Sequence, residues 1–230
     1  MNIYAFICTR SKDLNDTTKE LSSYLSRANI KTKFLVGQKS IFSGYSKAFK
    51  KFDIKDEDIV IMCHDDIQIL TDPEVFKNII VKTCYKFQTG FIGVAGTTEL
   101  KEDAVWWNRD AWIAGKLRGH VYHGTDITTA DSTYYGAPNT EQVVCMDCLF
   151  LAAKGSVLKQ VGLDKPEYFE GDWDFYDIHY TVTAHKKKYK NHVVPISLLH
   201  NSKGELAGRD SWHKNREAFI KNTQLPIFLG

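Results

Sequence analysis

Through the first hundred residues, short unbroken apolar runs alternate with stretches whose apolar positions recur at helical spacing. Ile3 to Cys8 reads as a buried strand, and Leu14 to Arg27 as a helix with Asp13 or Asp16 available as its cap. Lys33 to Val36 follows as a second strand, ended by Gly37, and Tyr45 to Phe52 as a short helix. Ile59 to Cys63, Ile-Val-Ile-Met-Cys, is the clearest buried strand. Asp72 and Pro73 open a helix that runs to about Tyr85, a cap followed by proline in the first turn. Phe91 to Ala95 is a fourth strand. Strands and helices in strict alternation predict an α/β fold, Rossmann-like, with a mostly parallel central sheet and helices on both faces.

Beyond Gly96 the regularity breaks. Residues 97 to 141 are rich in Trp, Gly, His, Asp and Tyr, with no sustained period, and so long an irregular segment usually carries function. Val143 to Ala153 is an apolar run suited to a strand. Asp172 to Lys187 has acids at its front and lysines at its end, as the helix dipole favours. Val193 to Leu199 is a last strand, leading into His200-Asn201-Ser202-Lys203-Gly204. A helix from Trp212 to Asn222 and the apolar tail Leu225 to Leu229 close the chain. No repeat or low-complexity linker divides it, so residues 1–230 are expected to form one domain, with a first half to residue 96 and a second from 97.

Composition narrows the picture. With 43% hydrophobic and 25% charged residues the chain can bury a full core. A net charge of +2 is too small to argue for nucleic acid or a membrane surface, although Lys186, Lys187, Lys188 and Lys190 form a local cluster. The five cysteines lack the regular spacing of a disulfide framework, which favours a reducing, cytoplasmic setting. The first residues carry no basic leader, and no apolar run is long enough to span a bilayer.

Candidate chemistry concentrates at strand ends, where open parallel sheets bind their ligands. His64-Asp65-Asp66 follows the buried strand directly. Two adjacent carboxylates there repel each other unless a cation intervenes, and hard oxygen ligands suit Mg²⁺ or Mn²⁺; the competing reading is a solvated Asx turn. Glu167, Glu170, Asp172, Asp174 and Asp177 are interleaved with Tyr168, Phe169, Trp173, Phe175 and Tyr176. Most of these acids suit a helix N-terminus, but a carboxylate desolvated among aromatics is a candidate general base. Asp174 and Asp177 share a helix face. His200 ends another strand and is either structural or aimed at the same crevice as Asp66. Cys145 and Cys148 have no partner pair for zinc, and His120 and His123 suggest a loop without a metal. No G-x-G-x-x-G, Walker or G-x-S-x-G pattern is present, which excludes the corresponding dinucleotide, P-loop and serine-hydrolase motifs.

Taken together, His64-Asp65-Asp66-Ile67, Met146-Asp147-Cys148, the stretch Phe169 to Tyr180 and His200 to Gly204 resemble the inverting GT-A glycosyltransferases of the family-two type. The likeness is greatest to a compact bacterial and phage subgroup and spans Ile3 to Phe219. It implies a nucleotide-sugar site on the first half and an acceptor site on the second. Thr9 and Arg10 match the base-contacting loop, and Ser43, Tyr45 and Ser46 a segment beside the nucleotide, with Ser46 standing where relatives have Asn. Asp65 and Asp66 match the aspartates that contact ribose and metal, and His200 a histidine completing the metal's ligands. Asp147 matches an acidic acceptor-region position, with Cys148 in place of the usual Gly. Tyr176-Asp177-Ile178-His179-Tyr180 resembles the stretch carrying the catalytic base, which makes Asp177 the base and Asp174 its substitute.

The resemblance implies a metal-dependent inverting transfer, with Mn²⁺ or Mg²⁺ as cofactor and a nucleotide-diphosphate sugar, most commonly a UDP-sugar, as donor. Trp106, Trp107, Trp112 and Trp173 are aromatics that either stack on an acceptor or form a satellite hydrophobic cluster. The acceptor hydroxyl belongs to a glycan or small molecule, or to a hydroxymethylated base in phage DNA, flipped from the stack. The alternative is a non-catalytic nucleotide-sugar or glycan-binding module of the same fold, for which Ser46, Tyr176 and His179 speak as departures from the family pattern.

Overall fold

The structure, a computed structural model, describes residues 1–136, 139–202 and 210–229. Strand β1 (Ile3–Thr9) leads through helix α1 (Asp16–Arg27), strand β2 (Lys31–Val36) and helix α2 (Ile41–Lys51) to β3 (Ile59–Cys63) and β4 (Ile67–Ile69). Helix α3 (Pro73–Cys84) precedes β5 (Thr89–Gly93), β6 (Ala95–Thr97), β7 (Glu99–Leu100) and the short helix α4 (Arg109–Ile113). Then come β8 (Leu117–His123), β9 (Asp131–Gly136), β10 (Glu141–Val143), β11 (Cys145–Met146), β12 (Phe150–Lys154) and α5 (Gly155–Val161). Helix α6 (Tyr176–Lys186), β13 (Lys190–Val193), β14 (Leu198–His200), α7 (Asp210–Asn222) and β15 (Ile227–Phe228) complete the order.

The main sheet has the order β10-β13-β5-β12-β3-β1-β2. Strands β1, β2, β3, β5 and β13 run one way, while β12 and β10 run against them. Ala152 pairs with Ile92, so Phe150, two residues from Ala152, shares Ile92's face and Phe91 points the other way. Phe150 meets Phe76 of α3 at 5.7 Å between ring centroids, and Phe91 stacks on Tyr180 of α6 at 6.5 Å. Helices therefore cover both faces, the arrangement expected from the strand–helix alternation. β3 is buried along its whole length, as its five apolar residues require.

A second sheet, β11-β6-β8-β14-β4 with β9 on β8, accounts for the departures from the sequence expectations. The run predicted as one strand from Phe91 to Ala95 breaks at Val94, β5 staying in the main sheet and β6 entering the second. Val143 to Ala153 likewise divides into the end of β10, β11 and β12. An apolar run does not reveal which of two sheets each part pairs with. Pro195, which has no N–H to donate, separates β13 from β14 within the expected strand Val193 to Leu199. The irregular segment from residue 97 contains β7, α4, β8 and β9. At Gly119 (φ 117°) an added Cβ would lie 2.0 Å from the Val94 carbonyl oxygen, so only glycine lets β8 approach there.

Helix boundaries shift for similar reasons. Asn15, not Asp13 or Asp16, caps α1, its side chain accepting from Thr18 N at 2.8 Å. Asp72 caps α3 with Pro73 behind it, as the sequence indicates. Helix α6 starts at Tyr176 rather than Asp172 because 171–175 is held by distant partners. The Asp172 carbonyl accepts from Ile41 N at 2.9 Å. Buried Asn215 of α7 accepts from Gly171 N at 2.8 Å and donates to the carbonyls of Gly171 (3.1 Å) and Asp174 (2.9 Å). Phe175 turns into the helix with φ of 68°.

Candidate functional site

β3 hands the chain from one sheet to the other through His64, Asp65 and Asp66. His64 N donates to Leu149 O at 3.2 Å, extending the β3–β12 contact by one residue, and β4 then enters the second sheet. There Ile67 pairs with His200, and His200 pairs with His123 at the end of β8. Asn201 N donates to the Asp66 carbonyl at 2.8 Å. Strand register thus carries one acid and three histidines from three separate segments to one place.

The ligand atoms of His64, Asp66 and His200 all lie within 4.8 Å of one another. Asp66 Oδ1 is 3.7 Å from His64 Nδ1, and Asp66 Oδ2 is 3.5 Å from His200 Nε2. The His64 and His123 rings stand 5.7 and 5.6 Å from that of His200. Among the described residues, buried Asp66 Oδ1, His200 Nδ1 and His123 Nδ1 meet no hydrogen-bond partner. An ionised oxygen left unpaired away from water is unfavourable unless a cation or donor satisfies it. Burial would raise the Asp66 carboxyl, but the His200 hydrogen bond and the two imidazoles hold it below the usual carboxylate range. Burial lowers His64 and His123, with the neighbouring His200 adding to the effect. An ionised carboxylate and neutral imidazoles are the protonation states that offer lone pairs to a divalent ion. The residues fit a metal.

Asp147 links this group to the start of α6. It sits in the turn between β11 and β12, half-buried, its Oδ1 accepting from Leu149 N at 2.8 Å. Its charge acts on His64 on one side and on Asp177 on the other. Asp177, 8% exposed in the first turn of α6, has its carboxyl pushed up to about 8 by burial and then by Asp147. Asp174, also buried, accepts a hydrogen bond from Ser211 Oγ of α7. Cys148 lies between the two groups, its Sγ 3.3 Å from His64 Nε2. The order Cys148–His64–Asp66 imitates a nucleophile, base and orienting acid. However, 3.7 Å is too long for the second hydrogen bond, and burial drives the thiol far up, the opposite of activation.

The remaining sequence candidates are dispersed. Thr9 ends β1, its carbonyl accepting from Gly37 N at 3.0 Å, and Arg10 beyond it is exposed. Ser43 donates to Ser40 O at 3.2 Å. Tyr45, 1% exposed, is enclosed near Cys8, Cys63 and Tyr176, and Ser46 donates to Asp164 Oδ1 at 2.6 Å, so neither offers a free polar face. Asp65 is half-buried, and its carbonyl accepts from Thr18 Oγ1 at 2.9 Å. Trp106 is buried against Trp107 and Tyr135 at 5.6 and 5.4 Å, and Trp107 reaches Trp212 at 5.7 Å. Trp112 meets Tyr135 at 5.3 Å, so the loop aromatics do form a cluster. Trp173, partly exposed, donates from Nε1 to Lys39 O at 3.1 Å, away from that cluster. Lys203 and Gly204 of the terminal motif lie outside the described residues.

Sequence reasoning did not single out His64 as a candidate ligand, nor His123 and Cys148 as neighbours. His64 was within reach, two residues before Asp66. His123 carries no local signal, because only the pairing of β8 with β14 brings it to His200. The lysine cluster lies elsewhere. Lys190 pairs with Thr89 at the starting edge of two strands parallel to β3, the edge opposite His64. Among the described residues no helix is long and apolar enough to cross a membrane.

A model of the family described as "Glycosyltransferase like family" matches residues 20–223. No curated protein matches the chain. Among solved structures, A197 from STIV is 14% identical with a TM-score of 0.53, over 87% of this chain and 85% of that one. GalNAc-T7, solved with UDP, GalNAc and Mn²⁺, is 9% identical with a TM-score of 0.57, over 95% of this chain and 47% of that one. UDP-glucose pyrophosphorylase complexed with UDP-glucose is 8% identical with a TM-score of 0.51, over 97% of this chain and 100% of that one. At such identities the likeness is one of fold.

Proposed function

We propose, from the premise that this chain belongs to the glycosyltransferase-like family, that it transfers a sugar with inversion from a nucleoside-diphosphate donor to an acceptor hydroxyl. The observation that carries this reading is the buried Asp66 oxygen, without a hydrogen-bond partner among the described residues, amid the ring nitrogens of His64 and His200. A divalent ion bound there, Mn²⁺ or Mg²⁺, supplies positive charge against the departing diphosphate. Two imidazoles among three donors favour Mn²⁺ of the two.

The protein's own groups do the rest. Asp65 stands next to Asp66 as the ribose contact, and Thr9, Arg10 and Ser43 bound the base. Tyr45 and Ser46 support that wall from beneath it. Asp177 takes the acceptor hydroxyl's proton onto its carboxylate as the oxygen attacks the anomeric carbon from the face opposite the leaving group. Asp147 raises the proton affinity of Asp177 and so makes it a stronger base once ionised. Asp174 is its substitute by sequence, but the Ser211 bond gives it the character of a helix anchor. Trp106, Trp107 and Trp173 belong to the acceptor side. Residues 1–96 serve the donor and 97–230 the acceptor within one cytoplasmic domain, although His64, Asp66 and His200 join the two halves. The donor is a UDP-sugar, and the acceptor a glycan or small-molecule hydroxyl. A hydroxymethylated DNA base is the weaker choice, because the lysine cluster lies at the far edge of the sheet.

A thermal-shift series with UDP-glucose, UDP-GlcNAc and UDP-GalNAc, with and without Mn²⁺, tests the reading. A donor that binds the native state raises the melting temperature, here only when Mn²⁺ is present. Asp66→Ala should abolish both that rise and turnover while the fold persists. Full metal-dependent activity in the variant would remove the metal assignment. One observation favours a second reading, a non-catalytic sugar-nucleotide-binding module: Asp177 is buried, and burial with the Asp147 charge pushes its carboxyl up to about 8, towards the protonated form. Donor binding by calorimetry without transfer or hydrolysis at any pH up to 9 would favour that module.

A further inference from the structure

The geometry points to Cys148 as a positioning residue that sets the tautomer and orientation of His64, so that His64 presents Nδ1 to a divalent ion. This rests on the reading of His64, Asp66 and His200 as an ion-holding group. A neutral imidazole has one lone pair and one N–H. If Nδ1, 3.7 Å from Asp66 Oδ1, is the ligand atom, the proton must be on Nε2 and needs an acceptor there. That nitrogen lies 3.3 Å from Cys148 Sγ, a distance suited to a hydrogen bond with sulfur. With the thiol as acceptor, the N–H on Nε2 is retained and the ring is held against rotation. Partners of this kind, one bond removed from a metal, orient ligating histidines in general.

The contact is built into the backbone. The turn bearing Cys148 is pinned by Leu149 N to Asp147 Oδ1 (2.8 Å), by Asp147 N to Ala95 O (3.0 Å) and by His64 N to Leu149 O (3.2 Å). The last bond joins the Cys148 turn to the very residue whose ring the thiol touches. A neighbouring group of any other reach would leave Nε2 without this acceptor.

The test compares the full-length wild type with Cys148→Ala, Cys148→Ser, His64→Ala and the double variant Cys148→Ala/His64→Ala. The readouts are calorimetric titration with Mn²⁺ alone and imidazole ¹⁵N NMR of the metal-free proteins. In the wild type His64 should show the Nε2–H tautomer. Cys148→Ala should mix the tautomers and weaken Mn²⁺ binding by about tenfold, and Cys148→Ser, which keeps an acceptor, should restore most of both. In the double variant the Cys148 change should add nothing to that of His64, since it acts through His64. If His64→Ala weakens Mn²⁺ binding but Cys148→Ala leaves affinity and tautomer unchanged, the positioning role is overturned and the ion site stands. If the wild type binds no Mn²⁺, or His64→Ala binds it undiminished, the ion-site reading fails and the proposal with it.

Discussion

Replacing Asp177 by Asn deletes a buried proton-binding group while nearly preserving shape, and its effect on stability depends on pH in a definite direction. The carboxyl has an ordinary value of 3.8 and is pushed up to about 8 in the folded protein, first by burial and then by Asp147. Between those values the native state holds a proton that the unfolded chain has released. Stability contributed by this group is therefore fully present below about pH 4 and is lost as pH rises towards 8. Each unit is worth about 1.4 kcal/mol, so the three units from pH 5 to 8 remove about 4 kcal/mol from the wild type as an upper bound. Asn does not titrate, so the stability of Asp177→Asn relative to wild type should improve by up to that amount between pH 5 and 9. Urea denaturation of both proteins at pH 5, 7 and 9, with matched m-values, measures the difference. Asp147→Asn should shrink it, because Asp147 is the second cause of the shift. A difference constant within about 1 kcal/mol across the range would show that Asp177 ionises as an exposed acid does. The same proton has a kinetic counterpart: a general base must be ionised, so kcat should rise up to about pH 8 and then level, and Asp177→Asn should bind donor without transferring.

Other outcomes follow from the packing around this acid and from the charge distribution. Asn215→Ala removes three buried hydrogen bonds, one from the Gly171 N–H and two to the Gly171 and Asp174 carbonyls, and should destabilise by about 2–4 kcal/mol in urea denaturation. Gly171→Ala should destabilise by about 1–3 kcal/mol by the same measurement, since its Cβ would lie 2.9 Å from both Asn215 Nδ2 and Ser211 Cβ. Replacing Lys186, Lys187, Lys188 and Lys190 together by Ala should leave kcat/KM for any transfer unchanged, because the cluster is at the opposite sheet edge. A large loss in steady-state assays would place the acceptor there.

Much of the fold was legible because its signals are local. Five apolar residues at Ile59–Cys63 followed by three polar ones mark a buried strand and its end. Asp72-Pro73 marks a helix start, and alternation of such units implies a parallel sheet. The same locality explains where the reading stopped. Nothing near Val94 or Val144 says that the chain changes sheet, and nothing near Asp172 says that Ile41 will bind its carbonyl and delay the helix.

The candidate site divides along the same line. The sequence by itself determined that Asp66 follows closely on a buried strand, that His200 ends another, and that Asp177 stands among aromatics, since each depends on near neighbours alone. Only the tertiary structure decided that His64 and His200 flank Asp66, that His123 stands behind them, and that Cys148 touches His64. Those relations depend on strand register between segments more than a hundred residues apart in sequence for β4 and β14. Register is chosen by the burial of whole strands against one another, a long-range balance that no local pattern of residues records.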